Sequence, residues 1–210
     1  DPESRDDARI NAPLTVLTLA RAVSLQDYED FARTFSGIAK AQAVWVWDGR
    51  KRSIFLTVAG PGGEVLAEDG SVITKLKEAL RAYGDPFVAF TVKTYRQAFF
   101  RLEGTVTIHP DYVSETVMAE VTADLQRRYA FEARAFGQPV ALSEAMAAIQ
   151  SIAGVVAVDI DTFARNDVPT PAIQPRLIAD RPAMGADGLV PAAELLLLDP
   201  ASLTQLKAMQ

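Results

Sequence analysis

The chain has 210 residues, 49% of them hydrophobic and 23% charged, with a formal charge of −6 and an isoelectric point near 4.9. That length holds one large or two small domains with a core that buries about 70% of the unfolded surface, and no apolar run is long enough to span a bilayer. The acidity argues against binding a phosphate backbone, and zero cysteines exclude disulfides, thiolate nucleophiles and thiolate metal sites while leaving the compartment open.

The opening stretch "DPESRDDARINAP" is charged and has no apolar centre, so it does not read as a signal peptide. It also lacks an initiator methionine, and the expectation is a piece of a longer polypeptide. Ser24 with Asp27 three residues on has the form of a capping box, which predicts a helix start there. Tyr28, Phe31, Ala32 and Phe35 then recur at helical spacing as a core stripe, with Gly37 as the stop. The period next changes to two: Trp45 and Trp47 share one face, Val44 and Val46 the other, and Asp48-Gly49 turns the chain into "SIFLTV". The large area each indole buries favours core packing for the two tryptophans, with a ligand-stacking platform as the alternative.

A second helix is expected from Ser71 to Tyr83, stopped by Gly84, followed by "DPFVAFTV" as a strand. In "FRLEGTVTI" the residues Leu102, Gly104, Val106 and Ile108 alternate with Arg101, Glu103, Thr105 and Thr107, as in a strand buried on one side. Further helices are expected near Ser114 and from Ser143, and "GVVAVDID" as a strand. "SLQDYEDFARTFSGIAKAQAVWV" and "LSEAMAAIQSIAGVVAVDI" echo each other as helix, glycine, strand, which suggests two related units joined near Thr94 to Ala98. Six of the twelve prolines lie from Pro169 onward, and such a tail is expected to run extended.

The fold class read from these elements is α+β: two small α/β units with mixed or antiparallel sheets covered by helices, plus an extended Pro-rich C-terminal tail. The boundaries are 1–95 with an N-terminal connector, 96–166, and 167–210.

Chemistry-bearing candidates are few. His109 is the only histidine, and "HPDYVSE" reads better as a helix start capped by Asp111 and Ser114 than as a catalytic or metal site. "AGPGGE" lacks the lysine and hydroxyl of a phosphate loop. Asp159 and Asp161 are two acceptors without a calcium-loop pattern. "GRKR", residues 49–52, is either a solvated hairpin tip or an acidic partner's contact. No metal or cofactor is expected.

The ordered series "VLTLARAVSLQDYEDFAR", "GIAKA", "VWVWDG", "LTVAGPGG", "GDPF", "YRQAFF", "FGQPVALSE", "IAGVVAVDID" and "AELLLLDP" resembles the C-terminal portion of the baseplate J-like family, over about residues 10 to 200. The resemblance implies a non-enzymatic wedge component of the baseplate in contractile phage tails and related injection systems. It further implies other wedge and hub proteins, and further copies of the chain, as partners, with neither nucleic acid nor membrane insertion. Assembly in the bacterial cytoplasm into a virion tail or injection particle is implied as well, and family members usually carry a further N-terminal region. Competing readings are a hydrolase using His109 and Asp111, and a small-ligand regulatory domain using the Trp45 and Trp47 face. Leu195, Leu196, Leu197, Leu198, Asp199 and Pro200 are the candidate partner-docking residues: four consecutive leucines present apolar groups to both faces of a strand or most of the circumference of a helix, so the segment is expected to pack as a short edge element against an α/β unit, in its own chain or in a neighbour's.

Overall fold

The computed structural model describes residues 24–47, 49, 51–169 and 172–209. The start of the expected N-terminal connector and the Asp48 half of the hairpin turn lie outside the described residues. The chain is α+β and divides into two compact units. One holds the residues up to Arg96 together with Arg181–Ala193, the other Gln97–Asp180 together with Glu194 onward.

In the first unit α1 (Leu25–Thr34) opens on the capping box: Asp27 N–H donates to Ser24 Oγ at 3.2 Å and Ser24 N–H to the Asp27 carboxylate at 2.8 Å. The helix ends at Thr34, three residues before Gly37, because Phe35 is already extended. Gly37, at φ 90°, makes the turn into the sheet. Of the expected stripe, Tyr28 and Ala32 are fully buried, whereas Phe31 and Phe35 pack only at the margin. The second helix, α2 (Ser71–Tyr83), has the expected bounds and buries Ile73, Leu76 and Leu80.

The sheet of this unit runs β1 (Lys40–Trp47), β2 (Arg52–Ala59), β3 (Phe90–Thr94), with β1–β2 antiparallel and β2–β3 parallel. β3 starts five residues later than the sequence pattern suggests, because Asp85 to Val88 form a turn in which Val88 N–H reaches Asp85 C=O. Central β2 is buried continuously from Ser53 to Ala59, since both faces are covered. Ile54, Leu56 and Val58 join the core beneath α1 and α2. Phe55, with Val44 and Val46 of β1, packs instead against Val190 and Ala192. That second cover is pinned by Ala193, whose N–H donates to Thr57 Oγ1 at 3.2 Å and whose carbonyl accepts Arg96 N–H at 2.9 Å.

The second unit is built on β4 (Arg96–Ile108), which alternates as its sequence predicts, Phe100, Leu102, Val106 and Ile108 being buried. α3 (Ser114–Arg128) and α4 (Leu142–Gln150) cover that face with Val117, Val121, Leu125, Ala145 and Ile149. β5 (Val140–Ala141) leads into α4 and pairs antiparallel with β7 (Arg176–Leu177). On one side β4 pairs antiparallel with β6 (Val155–Arg165), and the register skips Asp161 opposite Glu103/Gly104. Gly104 is needed there: a Cβ would lie 2.2 Å from the Asp159 carbonyl oxygen.

On its other side β4 is paired in two pieces, by β8 (Glu194–Leu198) and then by the parallel β9 (Leu206–Met209). Between them, Asp199 N–H donates to Phe100 C=O, and Leu102 N–H donates to Ser202 Oγ at 3.3 Å. The hydroxyl thus bridges the gap in the ladder.

Candidate functional site

The expected capping role of Asp111 and Ser114 is not what the structure has. The N-cap of α3 is Val113, without a side-chain cap, and Ser114 is already helical. Residues 109–112 instead close a turn, with Tyr112 N–H donating to His109 C=O at 3.0 Å, which sets the helix start past Asp111. His109 Nδ1 lies 3.3 Å from the Asp111 N–H and 3.5 Å from the Asp111 carboxylate, a contact between neighbours within one turn. Both side chains face solvent, the imidazole half exposed and the carboxylate almost wholly so.

In the loop 59–64, Gly60 N–H donates to Glu64 C=O, Gly63 N–H to Gly60 C=O and Glu64 N–H to Pro61 C=O. These amides are spent on the loop itself and do not form a phosphate cradle. Asp159 and Asp161 are exposed on β6. No group of three or more His, Cys, Asp or Glu is placed to hold a metal among the described residues.

The tryptophans overturn the core expectation: Trp45 is 37% exposed and Trp47 56%. Strand parity is as predicted, but Ala41 and Ala43, on the same face, are the residues beneath the helices. The strand continues past that cover, and its last two residues on this face are left at the surface. The Arg52 guanidinium lies 4.6 Å above the Trp45 ring, so Arg52 and the two exposed indoles form one surface patch.

The six candidate docking residues follow Glu194 on β8. All four leucines are buried within this chain, Leu196 and Leu198 in the core under the helices. Asp199 is partly covered, Pro200 is exposed, and Asp199 holds the turn by accepting from Asn166 Nδ2 and from Ala201 N–H. Leu197, Leu198 and Pro200 also line a cavity of about 280 Å³ with Phe99, Tyr129 and Leu203. The Tyr129 hydroxyl is buried without a hydrogen-bond partner, and burial pushes its pKa up to about 12.

Sequence reasoning missed the strongest polar cluster, centred on Arg165 at the end of β6. Its guanidinium donates to Glu194 at 2.7 and 3.2 Å, to Asp167 at 2.8 and 3.0 Å, and to Ile178 C=O at 2.8 Å. Glu194 is buried and also accepts Asp180 N–H at 2.9 Å. Hydrogen bonds from Arg165 hold the Asp167 carboxyl below the usual range, and the carboxylates raise the Arg165 pKa. The one available signal was a glutamate set directly against a run of four leucines, where a buried charge needs a partner. The cluster ties the 176–180 segment to β6 and β8; it has no open position for a substrate.

The geometry is therefore that of well-covered sheets with an exposed aromatic and cationic strand end, and no convergent catalytic groups among the described residues. Residues 20–93 match the family model described as the Baseplate J-like central domain. This stretch is similar to a baseplate J-like central domain. It contains α1, α2 and nearly all of the β1–β2–β3 sheet, so the matched domain is the one that ends in the Trp45–Arg52 patch. Beyond residue 93 the likeness is carried by fold. A solved structure described as "Cryo-EM structure of the anti-feeding prophage (AFP) baseplate, 6-fold symmetrised" aligns with a TM-score of 0.60 at 16% identity, covering 94% of this chain and 42% of that one. The chain thus spans less than half of the length of that relative, and at this identity the two share a fold. No curated protein matches the sequence. No helix among the described residues is long and apolar enough to cross a membrane.

Proposed function

We propose that this chain is a structural component of the baseplate of a contractile phage tail or phage-tail-like injection particle, acting in wedge assembly around the tail hub without catalysis of its own. The observation that carries the reading is the match of residues 20–93 to the Baseplate J-like central domain, supported by the fold shared with a baseplate protein over 94% of the chain. The setting of His109 and Asp111 speaks against the hydrolase alternative, because both side chains are solvent-exposed and a catalytic pair of this kind works from a buried, oriented carboxylate. Partners in this reading are other wedge and hub proteins and further copies of the chain, met during assembly in the bacterial cytoplasm. Leu195–Leu198 serve the chain's own sheet, and the partner-facing part of that segment is its turn, Asp199 and Pro200.

The test is an in-frame deletion of the gene in the producing bacterium, with particles examined by negative-stain electron microscopy. Loss of baseplates and of sheathed tails, restored by the gene in trans, is the expected result. Intact contractile particles lacking this chain would overturn the proposal.

A further inference from the structure

β1 is an edge strand of its sheet among the described residues, and its outer edge is handled differently along its length. At the start, α1 supplies side chains to it: Glu29 Oε1 accepts Ala43 N–H at 2.9 Å, and Arg33 Nη2 donates to Ala41 C=O at 3.3 Å. These two contacts fix the parity of the strand, so the backbone groups of the odd-numbered residues point away from β2. Trp45 and Trp47 continue that series beyond the reach of α1, and among the described residues no side chain meets their outward N–H and C=O groups. An exposed strand edge of this kind is a template for a further strand.

Two further observations say what would lie there. The indoles of Trp45 and Trp47 stand exposed on the face beside this open edge, and Arg52, the register partner of Trp47 across the hairpin, is stacked on Trp45. Arg52 meets no carboxylate among the described residues, so its flat guanidinium is held in place with its donors unspent.

We infer that the Trp45–Trp47 edge of β1 binds an extended acidic segment of a partner protein by strand addition. The segment's backbone completes the ladder beyond the point where Glu29 and Arg33 stop. One of its carboxylates takes Arg52 in a bidentate pair, and its alternate side chains lie against the two indoles. Glu29 and Arg33 act as a stop that limits the added strand to the distal half of β1. The inference rests on the geometry of β1 and stands apart from baseplate membership, which the gene deletion decides.

The test uses the full chain and two acetylated, amidated octapeptides, one alternating glutamate with threonine and the other lysine with threonine. Tryptophan fluorescence reads binding, and backbone hydrogen exchange reads the Trp45 and Trp47 amides. Expected are saturable quenching by the glutamate peptide with affinity at least about tenfold above the lysine peptide, and slowed exchange at both amides. Arg52→Glu should reverse the peptide preference while leaving the melting temperature unchanged. No quenching at millimolar peptide, equal response to the two peptides, or quenching without amide protection would overturn the proposal. A chain that is itself dimeric, and becomes monomeric on Arg52→Glu, would give the edge to a second copy and overturn it too.

Discussion

The two units begin from the same local device and finish differently. α1 passes through Gly37 at φ 90° into β1, and α4 passes through Gly154 at φ 92° into β6. In both, a helix is reversed into a strand by one residue that has no Cβ penalty in the left-handed region. Past that turn the two sheets diverge. In the first unit the sheet is covered twice, so central β2 is buried at seven of its eight residues. In the second, β4 keeps one buried and one half-exposed face and alternates from Gln97 to its end. Whether a strand reads as alternating or as continuously apolar is therefore decided by a segment far away in sequence, here residues 181–193 for β2.

The harshest way to break the comparison is to remove the late chain. Deleting residues 189–210 takes β8 and β9 away from β4 and strips Val190 and Ala192 from β2. Loss of the second unit's cooperative unfolding is expected, with the first unit's sheet exposing Phe55; circular dichroism melts with tryptophan emission separate the two effects. Next in size is Glu194→Gln, which leaves Arg165 with the exposed Asp167 as its remaining carboxylate. A loss of about 3 kcal/mol in urea melts is expected, at the low end for breaking a buried pair because Asp167 persists.

The shared glycine turn can be sharpened by alanine at each site. At Gly154 a Cβ would meet the Tyr112 ring at 2.7 Å, whereas at Gly37 it would meet the Val72 side chain at 3.2 Å. Both substitutions incur the left-handed penalty of about 1–2 kcal/mol, and the excess from the clash makes Gly154→Ala the more damaging, measured as the difference of the two unfolding free energies.

The smallest effect concerns alkaline pH. The Tyr129 pKa is raised to about 12 by burial, with the nearby Glu144 carboxylate adding to it. The neutral phenol is the folded form, so its contribution is complete below the unfolded value of about 10 and is lost as pH rises from there through 12. Tyr129→Phe should flatten that alkaline limb in melts between pH 9 and pH 12 and change little at neutral pH, because the buried hydroxyl has no partner to lose.

Much of this fold is written locally. The Ser24/Asp27 box, the 71–83 helix and the alternation of β4 are set by neighbours within one turn or one pleat, and the sequence shows them. The exposure of Trp45 and Trp47 depends on where the helices over Ala41 and Ala43 end, which no strand pattern records. The start of α3 escapes a capping rule because the His109–Tyr112 turn competes with capping. In the polar network, Arg165 and Glu194 are 29 positions apart in sequence, beyond the reach of any spacing rule.

The division of the chain has a consequence for the order of events at the ribosome. The first unit's strands are all synthesised by residue 94, yet its second cover is residues 181–193. At about 5–20 residues per second, the nascent sheet waits roughly 5–20 s with Val44, Val46 and Phe55 uncovered on that face. During that interval the whole second unit up to Asp180 is being made. The sheet of the first unit is thus finished only after residues 97–180 of the second unit have been made, so its Val44, Val46 and Phe55 face stays open for longer than any step of its own folding.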